Sequence, residues 1–204
     1  MNSLKKTRII DLNVKSGIHY ETKNEGRILK LIGPLGSGYI DLVKKQTFYN
    51  YDFDSLEKKT NKTNNNSVKE FFFVEESNNI SVINVYCNKK NFLFIKTLVK
   101  NLFFGISIGF IKRINLRGVG YRAELNNGIL VFKLGYTHVI EFKIPSQIYI
   151  TLVSKTLLEI KGINPYLVSQ VAHNIRNLQV PEPYNGKGIF IDDETIVLKQ
   201  GKKQ

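Results

Sequence analysis

Cysteine, tryptophan and histidine are nearly absent from this 204-residue chain, which has one Cys, no Trp and three His. The lone thiol, Cys87, can close no internal disulfide and cannot build a Cys-rich zinc site. His19, His138 and His173 add little for metal chemistry, so a disulfide scaffold and a zinc finger are excluded. Acidic residues are scarce too: 17 Asp and Glu stand against 30 Lys and Arg, a formal net charge of +13. Long hydrophobic runs are missing. The longest apolar stretch, 92–111, is interrupted by Lys96, Lys100 and Asn101, whereas a membrane span needs roughly 20 residues with few or no charges. The first residues, MNSLKKTRIIDLNVKSG, are basic but lack an apolar signal core and carry Asp11, so they read as part of the mature protein. Catalytic signatures are also lacking: there is no GxxxxGKS or GxxxxGKT loop, no GxSxG and no HExxH. No catalytic residue, metal or cofactor is expected.

What is present begins with a core. Apolar residues make up 42% of the chain, enough for one large domain or two small ones. The basic surplus is distributed: residues 1–110 hold 17 basic and 10 acidic side chains, residues 111–204 hold 13 and 7. A surplus of that size suits a polyanion, either nucleic acid or an acidic membrane surface. Lys outnumbers Arg by 24 to 6, and there are 21 Asn, a bias that A-rich codons in an AT-rich genome produce. The Arg residues resist that drift, and four of them, Arg113, Arg117, Arg122 and Arg176, lie in the second half. Arg offers a planar fork that fits phosphate oxygens.

Residues 27–32 predict a strand, punctuated by Gly33, Pro34, Gly36 and Gly38 as a turn. Residues 54–70, with four Asn and four Lys, predict an exposed loop or insertion. Residues 71–74 and 80–87 predict strands. Phe92, Ile95, Leu98, Val99 and Leu102 recur at helical spacing, predicting a helix over 92–104 with Gly105 as its stop. From Lys112 the pattern turns to strands: 113–117, a bulge or close approach at Gly118 and Gly120, 121–125, an Asn-Gly hairpin turn at 126–128, then 129–134. A turn at 135–138 follows, with strands at 139–144, 148–153 and 157–161. A helix runs from about Pro165 to Asn177, packing Leu167, Val168, Val171, Ala172 and Ile175. Val14–Gly33 and Ile144–Gly162 share a pattern that matches Ser16 with Ser146 and Ile18 with Ile148. It fits either two ordinary hairpins or the duplication of one α/β unit.

His138 follows a turn and His173 sits mid-helix, positions that suit packing or surface roles. Asp192-Asp193-Glu194 reads as a solvated turn rather than a magnesium site. The distinctive stretch is Pro181-Glu-Pro-Tyr-Asn-Gly-Lys-Gly188. Its prolines stiffen the approach, and its glycines permit close backbone contact on either side of Lys187. Such a loop either holds backbone N–H groups and an ammonium against a phosphate, with Tyr184 free to stack, or serves as a structural crossover.

This stretch, continued to Ile189, resembles the signature of the ribosomal protein L6 family of bacterial and organellar large subunits. Leu116-Arg-Gly-Val-Gly-Tyr-Arg-Ala123, Leu134-Gly-Tyr-Thr-His138, Gln170-Val-Ala172 with Ile175-Arg176, and Ile32-Gly-Pro-Leu-Gly36 agree with it. The chain departs from the family where Asn185 replaces a usual Lys and Val139 replaces a frequent Pro. The resemblance implies an α+β fold of two similar small domains from an internal duplication, each an antiparallel sheet packed on a helix. These would be residues 1–105, with a divergent polar insertion around 50–90, and 106–204, with a basic tail. It implies a non-catalytic constituent of the large ribosomal subunit, among neighbouring large-subunit proteins, that binds large-subunit rRNA near the sarcin–ricin loop and the landing site of translational GTPases. Contact candidates are Tyr184, Asn185, Gly186, Lys187 and Gly188 in the loop, then Arg113, Arg117, Arg122, Arg176, Lys199, Lys202 and Lys203. The Lys and Asn bias points to a mitochondrial ribosome; a plastid or an AT-rich bacterium would look alike. The alternatives are a non-ribosomal RNA-binding or RNA-chaperone module, an enzyme acting on phosphorylated substrates, and a peripheral membrane protein using the 92–104 helix.

Overall fold

Alternation of apolar side chains builds the first sheet. The computed structural model describes residues 7–13, 17–23, 27–42, 45–49, 71–77, 80–86 and 89–201. Cys87, Lys202, Lys203 and the polar 54–70 stretch lie outside them. Two compact units, Met1–Gly109 and Phe110–Gln204, divide the chain. The first contains β1 (Thr7–Asn13), β2 (His19–Lys23), β3 (Ile28–Gly33), β4 (Gly36–Asp41), β5 (Gln46–Tyr49), β6 (Phe71–Ser77), β7 (Ile80–Tyr86) and helix α1 (Lys89–Ser107). Its strands form two antiparallel sheets, ordered β2-β3-β4-β5 and β1-β7-β6. Leu29, Leu31 and Ile40 share one face of the first sheet and are fully buried, as are Ile95, Val99, Leu102 and Ile106 of α1. Ile28, Tyr39 and Phe48 pack on the opposite face, with the Tyr39 and Phe48 rings stacked 4.7 Å apart. The Gly33–Gly38 punctuation resolves into a tight Pro34-Leu35 turn, and Gly36 and Gly38 belong to β4. Gly38 lies against α1, where a Cβ would fall 2.5 Å from Leu102 Cδ1.

The helix over 92–104 is present but longer at both ends, and Gly105 does not stop it. Gly105 is buried inside the last turns. The stop is Gly109, whose φ of 84° is left-handed and whose N–H, like that of Ile108, donates to the Phe104 carbonyl.

The second unit contains β8 (Phe110–Arg117), β9 (Arg122–Asn126), β10 (Ile129–Lys133), β11 (Ile140–Lys143), β12 (Ile148–Ser154), β13 (Leu157–Gly162), helix α2 (Pro165–Arg176) and β14 (Gly188–Ile191). Two antiparallel sheets, β12-β13-β8-β14 and β11-β10-β9, enclose a core with α2. Asn127 and Gly128 both have positive φ, 47° and 79°, the geometry an Asn-Gly hairpin turn requires. Helix α2 begins on Asn164, whose Oδ1 accepts from the N–H groups of Tyr166 and Leu167, with Pro165 in the first turn. Val168, Val171, Ala172 and Ile175 face the core, and Leu167 is partly buried against it.

The repeated pattern maps onto two hairpins, β2–β3 and β12–β13, each packed on its unit's helix. Gly33 and Gly162 end the second strand of each. A Cβ on Gly33 would meet the Ile106 side chain of α1 and Ile18; one on Gly162 would meet Val168 of α2 and Ile148. The pair Ile18 and Ile148 thus does the same packing in both units. The fold is α+β, with an antiparallel sheet on a helix in each unit. The units differ in the third strand: β3 continues to β4, the next strand in sequence, whereas β13 pairs with β8, the first strand of its own unit.

Candidate nucleic-acid interface

Strand register brings the cations of the second unit into two groups. In the middle of β8, Arg113 lies opposite Glu159, and its Nε donates to the Glu159 carboxylate at 3.1 Å. Lys161 reaches the same carboxylate at 3.2 Å. Arg113 donates its backbone N–H to Asp192 Oδ1, and Lys112 Nζ lies 3.5 Å from Oδ2. Arg176, at the end of α2, makes a two-pronged pair with Glu194, Nε at 2.9 Å and Nη2 at 2.6 Å. These guanidiniums lower the carboxylate pKa values: Arg113 first for Glu159, with Lys161 adding, and Arg176 for Glu194. The acidic turn 192–194 therefore neutralises cations and ties β8 and α2 to the chain after β14. Among the described residues no cluster suited to a metal ion is present.

The opposite end of the sheets gathers the second group. Arg117 ends β8 and pairs in register with Gly188, beside Lys187. Its guanidinium sits 4.3 Å from the centroid of the buried Phe190 ring. Arg122 starts β9 opposite Lys133, which ends β10, and reaches Glu124 at 3.3 Å. The β12–β13 turn joins them, because the carbonyls of Lys155 and Thr156 accept from Ala123 and Leu116. Lys133, Lys155 and Lys187 are exposed, and among the described residues none of the three has a carboxylate partner. Sequence reasoning weighed the four Arg of this half alike and did not single out Lys133 or Lys155. Only strand register could have found the two lysines, since each is an ordinary polar residue at a strand end or turn.

The 181–188 loop is closed on itself. Glu182 N–H donates to the Lys187 carbonyl and Gly186 N–H to the Glu182 carbonyl, at 2.8 and 2.9 Å. Asn185 Nδ2 donates to the Glu182 carboxylate. Gly186 is left-handed with φ 66°. Gly188 is buried, with φ 149°, and a Cβ there would fall 2.5 Å from Pro181 Cα. Gly188 thus serves the crossover, and the Gly186 N–H is committed within the loop. Lys187 and Tyr184 are left facing solvent, Tyr184 at 57% exposure. The tail returns here, where Lys199 N–H donates to the Pro183 carbonyl; Lys202 and Lys203 lie outside the described residues.

Comparison with known proteins bears on this same stretch. Residues 117–190 match the family described as ribosomal protein L6. That span opens at Arg117 and closes at Phe190, so it holds the loops of the cationic end together with α2. The large ribosomal subunit protein uL6 of Cereibacter sphaeroides is 43% identical over 110 residues, 54% of this chain and 62% of that protein. The uL6 proteins of Spiroplasma kunkelii and Mycoplasma capricolum are each 47% identical, over 53% and 52% of this chain and 60% and 59% of theirs. The chain therefore spans about three fifths of the length of these curated relatives. Over residues 117–190 of this second unit, the chain is similar to the ribosomal protein L6 family.

Proposed function

We propose that this protein is a non-catalytic structural constituent of the large ribosomal subunit whose second unit binds large-subunit rRNA. The observation that carries the reading is the convergence of Arg117, Arg122, Lys133, Lys155 and Lys187 at one end of the unit, on rigid strand ends and turns. Neutralisation of phosphates supplies affinity, and fit comes from shape and ribose contacts more than base reading. Direct contact falls to Lys187, Tyr184, Arg117 and Arg122, extended by Lys199, Lys202 and Lys203. Arg113 and Arg176 brace the framework through Glu159 and Glu194. Asn185, Gly186 and Gly188 hold the loop that presents Lys187.

The resemblance of the loop to the family signature supports a position near the sarcin–ricin loop, with translational GTPases and other large-subunit proteins as neighbours. The Lys and Asn bias supports a mitochondrial ribosome, with a plastid or a bacterium as the alternative; the relatives named above are bacterial. No helix among the described residues is long and apolar enough to cross a membrane. The test is co-sedimentation with large subunits through a high-salt wash. Lys187→Glu should weaken incorporation severalfold while the circular dichroism and melting of the free protein stay unchanged. Normal incorporation of that variant counts against the loop, and absence of the wild-type protein from purified large subunits overturns the reading.

A further inference from the structure

The turn between β10 and β11 carries an aromatic pair that the packing of the unit does not use. Tyr136 is 49% exposed and His138 is exposed, yet their rings lie roughly parallel, 23° apart, with centroids 5.9 Å apart. Tyr136 is held in place from below. The Tyr136 hydroxyl donates to the Gln179 side-chain oxygen, with the Leu178 carbonyl 3.3 Å away, in the segment that leads into the 181–188 loop. Gly135 starts the turn with φ 80°, and a Cβ there would press on Tyr121 at 3.3 Å, so the turn sits against the Gly118–Tyr121 bend. The Tyr136 ring is fixed before any ligand arrives, which removes the rotamer entropy that its ordering on binding would otherwise cost. Lys133 lies three residues before Tyr136 in the chain, and Arg122 lies opposite Lys133 in register.

Two roughly parallel, exposed rings, Tyr136 anchored and His138 beside it, are a stacking surface for a flat π-system attached to an anion. A nucleobase that has left its helix fits that description, with its flanking phosphates reaching Lys133 and Arg122. We infer that Tyr136 and His138 form a stacking platform for one unpaired nucleotide, separate from the Lys187 loop and resting on the rRNA-binding reading above. The platform acts through π-contact, so it adds affinity without adding phosphate neutralisation.

That difference makes the inference testable apart from the reading it rests on. Binding of the full-length chain to purified bacterial large-subunit rRNA is measured across a salt series for wild type, Lys187→Glu, His138→Ala, His138→Phe and Tyr136→Phe. His138→Ala should weaken binding about tenfold with an unchanged slope of log K against log salt. His138→Phe, which keeps a ring, should bind within about twofold of wild type. Tyr136→Phe keeps its ring but frees the turn and should fall between them. Lys187→Glu should lower the slope by about one. If Lys187→Glu behaves as expected while His138→Ala binds like wild type, or if His138→Phe loses as much as His138→Ala, the platform is wrong and the rRNA reading stands. A wild-type chain that ignores rRNA at low salt overturns both. His138 is exposed, so an unchanged melting temperature of His138→Ala verifies that the loss is not misfolding.

Discussion

Single ion pairs separate the cations that hold this unit together from those left for a partner. Arg176 and Glu194 are both about three-quarters shielded, and their two-pronged contact is shorter and stronger than an exposed pair. The Arg176 guanidinium holds the Glu194 carboxyl below its ordinary 4.5, although burial opposes the shift. A carboxyl with a lowered folded value stabilises above its ordinary pKa and loses that contribution as pH falls through the folded value. Glu194→Gln should therefore melt lower than wild type at pH 7, by about 1 kcal/mol. The gap should close as thermal melts are taken to pH values well below 4.5. The resemblance named Arg176 as a contact candidate, and the tail carboxylate that holds it lies 18 residues on. No local pattern links the two, so the pairing was not legible in sequence.

At the scale of elements, periodicity gave α2 from Pro165 and the hairpin at Asn127-Gly128, because caps and turns are set by the residues themselves. Asn164→Ala should cost about 1 kcal/mol in chemical denaturation, since the first-turn N–H groups of Tyr166 and Leu167 lose their acceptor. The other helix was read short. Its extent is decided where Ile106 seats on Gly33 and where Gly109 turns left-handed, facts that lie outside the repeat of apolar residues. The loop 181–188 has the same lesson. Its two glycines look alike in the sequence, yet Gly186 faces Leu198 of the tail while Gly188 lies under Pro181. Gly188→Ala should cost on the order of 3 kcal/mol or prevent folding, because a positive φ and a backbone clash coincide there. Gly186→Ala, which meets only a flexible side chain at 3.5 Å, should cost less, about 1 kcal/mol from its left-handed φ. Urea melts of the two variants, side by side, measure the difference.

For the whole molecule the net charge of +13 sets the expectation that polyanion binding weakens steeply with salt. A shallow slope, with rRNA binding unchanged across a severalfold rise in salt, would contradict phosphate neutralisation as the source of affinity. Composition determined that much, together with the lack of a thiol or histidine framework, the strand-rich second half and the family signature at 181–189. Those properties sum over residues or repeat along a few of them, so one dimension carries them. The tertiary structure decided which cations are spent on carboxylates of this chain and that Lys133, Lys155 and Lys187, with no carboxylate partner among the described residues, converge with Arg117 and Arg122. It also decided that Tyr136 anchors its ring on Gln179. The first depends on antiparallel register, which sets Arg117 beside Gly188 and Arg122 beside Lys133, and the second on a turn meeting a distant loop, across gaps that no local spacing encodes.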